Sequence, residues 1–381
     1  MRPWVFPART FTSDSSGELM QRRDLLKGAV AAGLAPMLPN AVGNPSVPAS
    51  QQARVPVVEG LVAGGLRESH LKGAKAGGVD VWVGGGPGDM AGYASVLRFY
   101  DRHKAEIVPA KSVADIMRAM QEGKIANVLN WQSADSLGES FNGTMGNTDT
   151  PLRAFQEIGL RIVGLCYNVT NEFGGGCLEP EVPLTRAGRR LVEEIHALRI
   201  VLDIGGHTGE RTSLDAIEIS RGVPVICTHT NMAAIADNPR CVSDRLIEAI
   251  ARTGGVVGIT AVNDFHVRSR KDAAQPNSPR ATLDQHIEQF EHVRRLVGVD
   301  HVGLGPDFVD GMPIVPAAVN RQIITREMIS DGEWLYIKGF ENIAELPNVT
   351  AAFRRRGWKE DEIQKVMGGN WMRVYRTVWG S

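Results

Sequence analysis

The chain has 381 residues, 43% of them hydrophobic and 22% charged, the balance of an ordinary globular protein and enough length for one large barrel domain or two medium ones. Lys and Arg total 42 against 43 Asp and Glu, so no global field favours nucleic acid or an anionic membrane, and specificity has to come from a local site. Four cysteines, Cys166, Cys177, Cys227 and Cys241, lack CxxC spacing, which argues against a disulfide-rich scaffold and a thiolate zinc knuckle and leaves one bridge or buried free thiols open.

Residues 1–50 are expected to stand apart from the fold. Arg22-Arg23-Asp24-Leu25-Leu26-Lys27 is a twin-arginine pattern, and the apolar run 28–38 that follows is too short to span a bilayer. Small residues near Val47-Pro48-Ala49 complete an export signal, with Met20 as a candidate start. The expected destination is the periplasm, by the twin-arginine route. No other segment is apolar enough to be a transmembrane span.

Residues 51–381 read as one domain. Short apolar, β-branched runs recur at 55–62, 79–83, 124–131, 161–167, 200–204, 224–228, 256–262 and 301–305. Runs that are apolar throughout, instead of alternating, suit a sheet buried on both faces. The stretches between them carry helical periodicity; over 187–198, Leu191, Val192, Ile195 and Leu198 fall on one face. Thr282-Leu283-Asp284-Gln285 is a capping box that starts another helix. Eight strand-then-helix units are the count of a (β/α)₈ TIM barrel, an α/β fold. A doubly wound open sheet is the alternative, but no Gly-rich fingerprint follows the first run. Residues 311–348 are the least regular and read as a long loop or lid; 349–379 read as amphipathic helix.

Catalytic groups in such barrels lie at the C-terminal ends of the strands. Here those ends carry Trp131-Gln132, Tyr167-Asn168, Gly205-Gly206-His207-Thr208, Thr228-His229-Thr230-Asn231 and Gly305-Pro306-Asp307. Histidines at the ends of adjacent strands, about 4.8 Å apart, can converge on one cation, and neutral imidazole is a good zinc ligand. His207 and His229 are therefore candidate metal ligands, and Asp307 a candidate base that takes a proton from water. His70, His103, His196, His286 and His292 lie on helical stretches and read as packing or surface residues, and His301 belongs to the stability face. His266, past the seventh run, is a candidate substrate contact.

Several motifs in order resemble the membrane (renal) dipeptidase family of zinc peptidases, over nearly all of the chain from about Val55 onward. They are Leu165-Cys166-Tyr167-Asn168 with Gly174-Gly175-Gly176-Cys177, His207-Thr208-Gly209-Glu210-Arg211-Thr212, Thr228-His229-Thr230-Asn231 with Asp237-Asn238-Pro239-Arg240, Gly303-Leu304-Gly305-Pro306-Asp307, and Gly368-Gly369-Asn370-Trp371-Met372-Arg373. The resemblance implies a metal-dependent hydrolase cleaving a dipeptide or similar small amide, and a homodimer. It makes His207 and His229 ligands of the second of two zinc ions and Asp307 the acid assisting the water. Arg240 pairs the substrate carboxylate through its planar fork, Tyr167 donates to a developing oxyanion, and Asn168 lies beside it as a substrate contact.

The sequence departs from the family at the other metal. Leu61 and Ala63 stand where a His and an Asp are expected on the first strand, and Gln132 replaces the bridging Glu. Leucine and alanine ligate nothing, and an amide is a weak donor beside a carboxylate. One zinc is expected, on His207 and His229, with Asp307 or the weak ligand Gln132 in support; Glu59 could substitute if the first strand shifts. Asp203 also sits one residue farther from His207 than in the family pattern. The alternatives are a metal-dependent enzyme on a non-peptide substrate, or a non-catalytic periplasmic binding protein for a small carboxylate.

Overall fold

The computed structural model describes residues 54–142, 151–310 and 323–380. The expected export signal and residues 311–322 of the expected lid lie outside them. Nine parallel strands form the sheet: β1 (Val58–Val62), β2 (Val81–Gly84), β3 (Ile107–Pro109), β4 (Ile125–Trp131), β5 (Leu160–Gly164), β6 (Val201–Asp203), β7 (Val225–Thr230), β8 (Val257–Ile259) and β9 (Val302–Leu304). Eight of them run round a barrel in the order β1-β2-β4-β5-β6-β7-β8-β9, while β3 pairs with the first half of β4. The barrel shuts where Asp307 N donates to Leu61 O at 3.2 Å and Ala63 N to Phe308 O at 3.1 Å. This is the (β/α)₈ TIM barrel that the alternation of apolar runs and amphipathic stretches predicts.

The extra strand was not legible as one. It has three residues, of which only Ile107 is buried and the last is proline, too few for any periodicity to register. The strand at 224–228 in the sequence reading runs on to Thr230, which places His229 inside β7.

Val58, Val81, Val83, Ala126, Val128, Ile162, Val201 and Ile226 form one buried cluster with Trp371 and Tyr375 of the last helix, Asn370–Trp379. A methyl group on Gly60, Gly258 or Gly303 would come within 2.7, 3.1 and 2.6 Å of the Trp371 ring, so these positions leave room for the indole. Asn370 Nδ2 donates to Val299 O and Val302 O at 2.8 Å each, fixing that helix at the N-terminal end of β9. The mouth at the other end is left for the site. The helix Leu283–Val297 opens on the predicted capping box of Thr282 and Gln285. The four cysteines are free thiols, and three of them are buried. Among the described residues, no helix is long and apolar enough to cross a membrane.

Candidate active site

Two imidazoles meet at the mouth of the barrel. His207 follows β6 in a glycine turn, and His229 lies in β7; their Nε2 atoms are 2.8 Å apart, with ring centroids 4.7 Å apart. Gly206 has φ +43°, and a Cβ there would fall 1.9 Å from Arg240 Nη1, so only glycine lets the turn pass the guanidinium.

The neighbours fix which nitrogen of each ring carries the proton. Asn168 Nδ2 donates to Ile323 O at 2.7 Å, which orients the amide so that Oδ1 faces His207 Nδ1 at 2.6 Å and accepts its proton. On the other ring, Thr228 Oγ1 donates to Asp203 Oδ2 at 2.5 Å and therefore accepts from His229 Nδ1 at 2.8 Å. Asp203 is itself held by the Gly205 and Thr228 amides at 2.7 and 2.9 Å. Burial lifts its carboxyl to about 6, so it is still the anion at neutral pH. Both Nδ1 atoms thus carry hydrogen, and both Nε2 atoms present lone pairs to one another.

Facing lone pairs at that separation repel unless a cation or a proton lies between them. Burial pushes both imidazoles well below the usual histidine range, and the Arg240 cation pushes the same way, so a proton is disfavoured. A metal cation fits the chemistry of this donor set. Gln132 Oε1 lies 3.0 Å from His207 Nε2 as a third, neutral oxygen. Such an ion would be held by His207 and His229 through Nε2, with Gln132 Oε1 as a weak third donor, and would supply Lewis acidity there. Among the described residues, no group of three or more His, Cys, Asp and Glu side chains could hold a metal ion. The carboxylates expected at Ala63 and Gln132, and the imidazole expected at Leu61, are missing.

Arg240, 2% exposed, lies beside the pair. Its Nη2 is 3.4 Å from His207 Nε2, and its Nη1 is buried with no hydrogen-bond partner. A buried guanidinium with an idle N–H is an anion site in waiting. Arg240, Asp307, Tyr167 and His207 line one small cavity of about 60 Å³, whose remaining wall includes Phe265, Ile324, Met328 and Leu335. Burial lifts the Asp307 carboxyl to about 7, against the pull of Arg240. The Tyr167 ring stacks on His207 with centroids 3.9 Å apart, and burial keeps its phenol protonated, up to about 12. Asn168 and Asp307 both have positive φ, 62° and 65°, rare for residues with a Cβ and concentrated at functional sites.

The structure therefore brings His207, His229, Gln132, Tyr167, Asn168, Arg240 and Asp307 together. It does not bring Glu59. That carboxylate bonds His70 Nε2 at 2.9 Å, and His70 Nδ1 bonds Asp310, so the substitution considered for the first strand is not made. His266 is not at the site either: it is buried, bonded to Val262 O at 2.8 Å and His286 Nδ1 at 3.0 Å. The Asp203–Thr228 pair behind His229 was missed. Its signal in the sequence was an aspartate closing one strand beside a threonine preceding the histidine of the next. Tyr336 was missed too; its hydroxyl accepts from Val309 N at 2.7 Å and donates to Asp307 O at 3.1 Å, bracing the Asp307 turn.

The family model for membrane dipeptidase (peptidase family M19) matches residues 90–334 and 327–379, beginning past β1, where Leu61 and Ala63 stand. The chain is 27% identical to dipeptidase tcpJ of Claviceps purpurea over 74% of this chain and 57% of that protein. It is 25% identical to dipeptidase ataJ of Aspergillus terreus over 74% of this chain and 65% of that one. The matches span less than two thirds of these relatives' own length. A solved amidohydrolase of Pseudomonas aeruginosa, 28% identical, superposes with TM-score 0.74 over 86% of this chain and 97% of that one. A metallo peptidase of Rhodobacter sphaeroides, solved with a phosphinate mimic of L-Ala-D-Ala, shares the fold with TM-score 0.66 at 21% identity, over 86% of this chain and 100% of that one. With the family model spanning β3 to the last helix, the chain belongs to the membrane dipeptidase family, as a divergent member.

Proposed function

We propose that this protein is a metal-dependent amidase that hydrolyses a dipeptide or similar small amide carrying a free carboxylate, with one zinc ion on His207 and His229. The observation that carries the reading is the pair of Nε2 lone pairs, fixed by Asn168 and Thr228 and turned toward one point. Zinc held there supplies Lewis acidity for attack on an amide carbonyl. The protein's own groups supply the rest. Arg240 offers its unpartnered Nη1–H to the substrate carboxylate, placing the scissile bond beside the imidazoles. Asp307, as the carboxylate, takes a proton from the attacking water and returns it to the leaving nitrogen. Tyr167, protonated throughout, is a hydrogen-bond donor at the same wall. Asn168, whose amide is engaged at both ends, acts through His207 as a positioning residue.

The twin-arginine pattern at residues 22–27 suits this reading, since the route such signals address carries folded proteins. Metal analysis tests the proposal. Purified protein is expected to hold about one zinc per chain and His229→Ala none. Chelation is expected to abolish hydrolysis of a dipeptide panel, and added zinc to restore it. Turnover that survives exhaustive chelation overturns it.

A further inference from the structure

The small cavity beside Arg240 has about 60 Å³ of room, enough for little more than a carboxylate group. A second cavity, of about 570 Å³, is lined by Gln132, whose Oε1 lies 3.0 Å from His207 Nε2. The two adjoin at the end of β1 and just past it, where Ala63 lines the small one and Val62 and Gly64 the large one. They adjoin again through Gln132, which lines the large cavity while its Oε1 bonds His207, a wall of the small one. With its carboxylate on Arg240 and its amide carbon at the imidazoles, a substrate has its acyl half in the large cavity. This orientation rests on the amidase reading above.

The lining of that cavity decides what the acyl half can be. Gly85, Gly86 and Gly88 of the loop after β2 line it, packed close against Leu66, Asn130 and Ser136, and Trp131 gives it an apolar wall. Among the described residues no Asp or Glu lines it, and its one charged lining side chain is the cation of Arg102. A free α-ammonium would find no counter-ion there and would meet a like charge. Asn130, only 5% exposed, also lines the cavity, and its amide Nδ2 is buried without a partner. That is an unused donor suited to a neutral oxygen acceptor. The volume falls within the range of sites that enclose a ligand.

We propose that the large cavity selects a neutral acyl group, so that the preferred substrates are N-acyl amino acids and not dipeptides with a free amino terminus. The hydroxyl of water goes to the acyl carbon as the C–N bond breaks. The nitrogen keeps the bonding pair and gains the proton, releasing a carboxylic acid and a free amino acid.

Alanyl-glycine and propanoyl-glycine differ only in the α-ammonium, and N-benzoyl-glycine adds bulk. With zinc-loaded protein at neutral pH, kcat/KM is expected to be at least tenfold higher for propanoyl- and benzoyl-glycine than for alanyl-glycine. Ser133→Phe, which fills the cavity wall, is expected to lower benzoyl-glycine turnover at least tenfold. Equal or faster cleavage of alanyl-glycine overturns the inference and leaves the amidase reading standing, as does full benzoyl-glycine turnover by Ser133→Phe. Cleavage of none of the three overturns both.

Discussion

Asp307 combines two properties that pull against each other. Its backbone sits at φ 65°, a cost for any residue with a Cβ, and its carboxyl is held up near 7 by burial, with Arg240 opposing. A carboxyl with that pKa is a far better proton acceptor than one at the ordinary value, provided it is ionised. Because the acceptor is the deprotonated form and its pKa is raised, turnover is expected to climb as pH rises through about 7 and to fall below it. Asp307→Asn is expected to lower kcat by about 10²–10⁴-fold and to remove that limb of the pH profile, with the circular dichroism spectrum unchanged. A variant that keeps the parent's rate and profile removes the base from the mechanism. At this scale the sequence was informative about chemistry and poor about partners. His207, His229 and Asp307 stand out because imidazole and carboxylate at strand ends have few structural uses, and Arg240 through the family resemblance. Glu59, considered only as a substitute ligand, is instead the counter-charge of His70, whose imidazole is raised to about 9 by Glu59 and Asp310 against the effect of burial. A residue type does not reveal which neighbour has already claimed it.

The strands carry the site as a set of rigid offsets. β6 ends at Asp203, and β7, its parallel neighbour, brings Thr228 against that carboxylate and His229 one step further on. Two strand ends thus orient one ring through a threonine hydroxyl. Thr228→Val keeps the shape and deletes the acceptor for His229 Nδ1–H. Zinc affinity, measured by competition with a chelator, is expected to drop about 10–100-fold, the usual effect of losing such a supporting partner. An unchanged affinity would show that the relay orients nothing. The eight barrel strands were readable because a sheet buried on both faces writes itself as unbroken Val and Ile runs. Their ends were less so, since burial and not composition decides where pairing stops: β7 gained two residues, and β3 never showed. The Asp203–Thr228 contact spans 25 residues of chain and depends on strand register, which one sequence does not disclose.

Among the described residues, the last helix plugs the N-terminal end of the barrel, and the candidate site lies at the other end. Trp371 fills the space above three glycines from β1, β8 and β9, so the last helix is part of the barrel's interior and not an appendage. Trp371→Ala is expected to cost about 3–5 kcal/mol, the range for emptying a large aromatic site, and to lower the urea midpoint accordingly. A midpoint within error of the parent would mean that the cavity collapses without penalty. The seam opposite that plug has its own consequence. One of the two amides that zip the first strand to the last belongs to Asp307, the residue assigned the proton transfer. Finishing the cylinder and arming the reaction are therefore one event: a half-folded chain, however well its histidines gather, has nowhere to put its base.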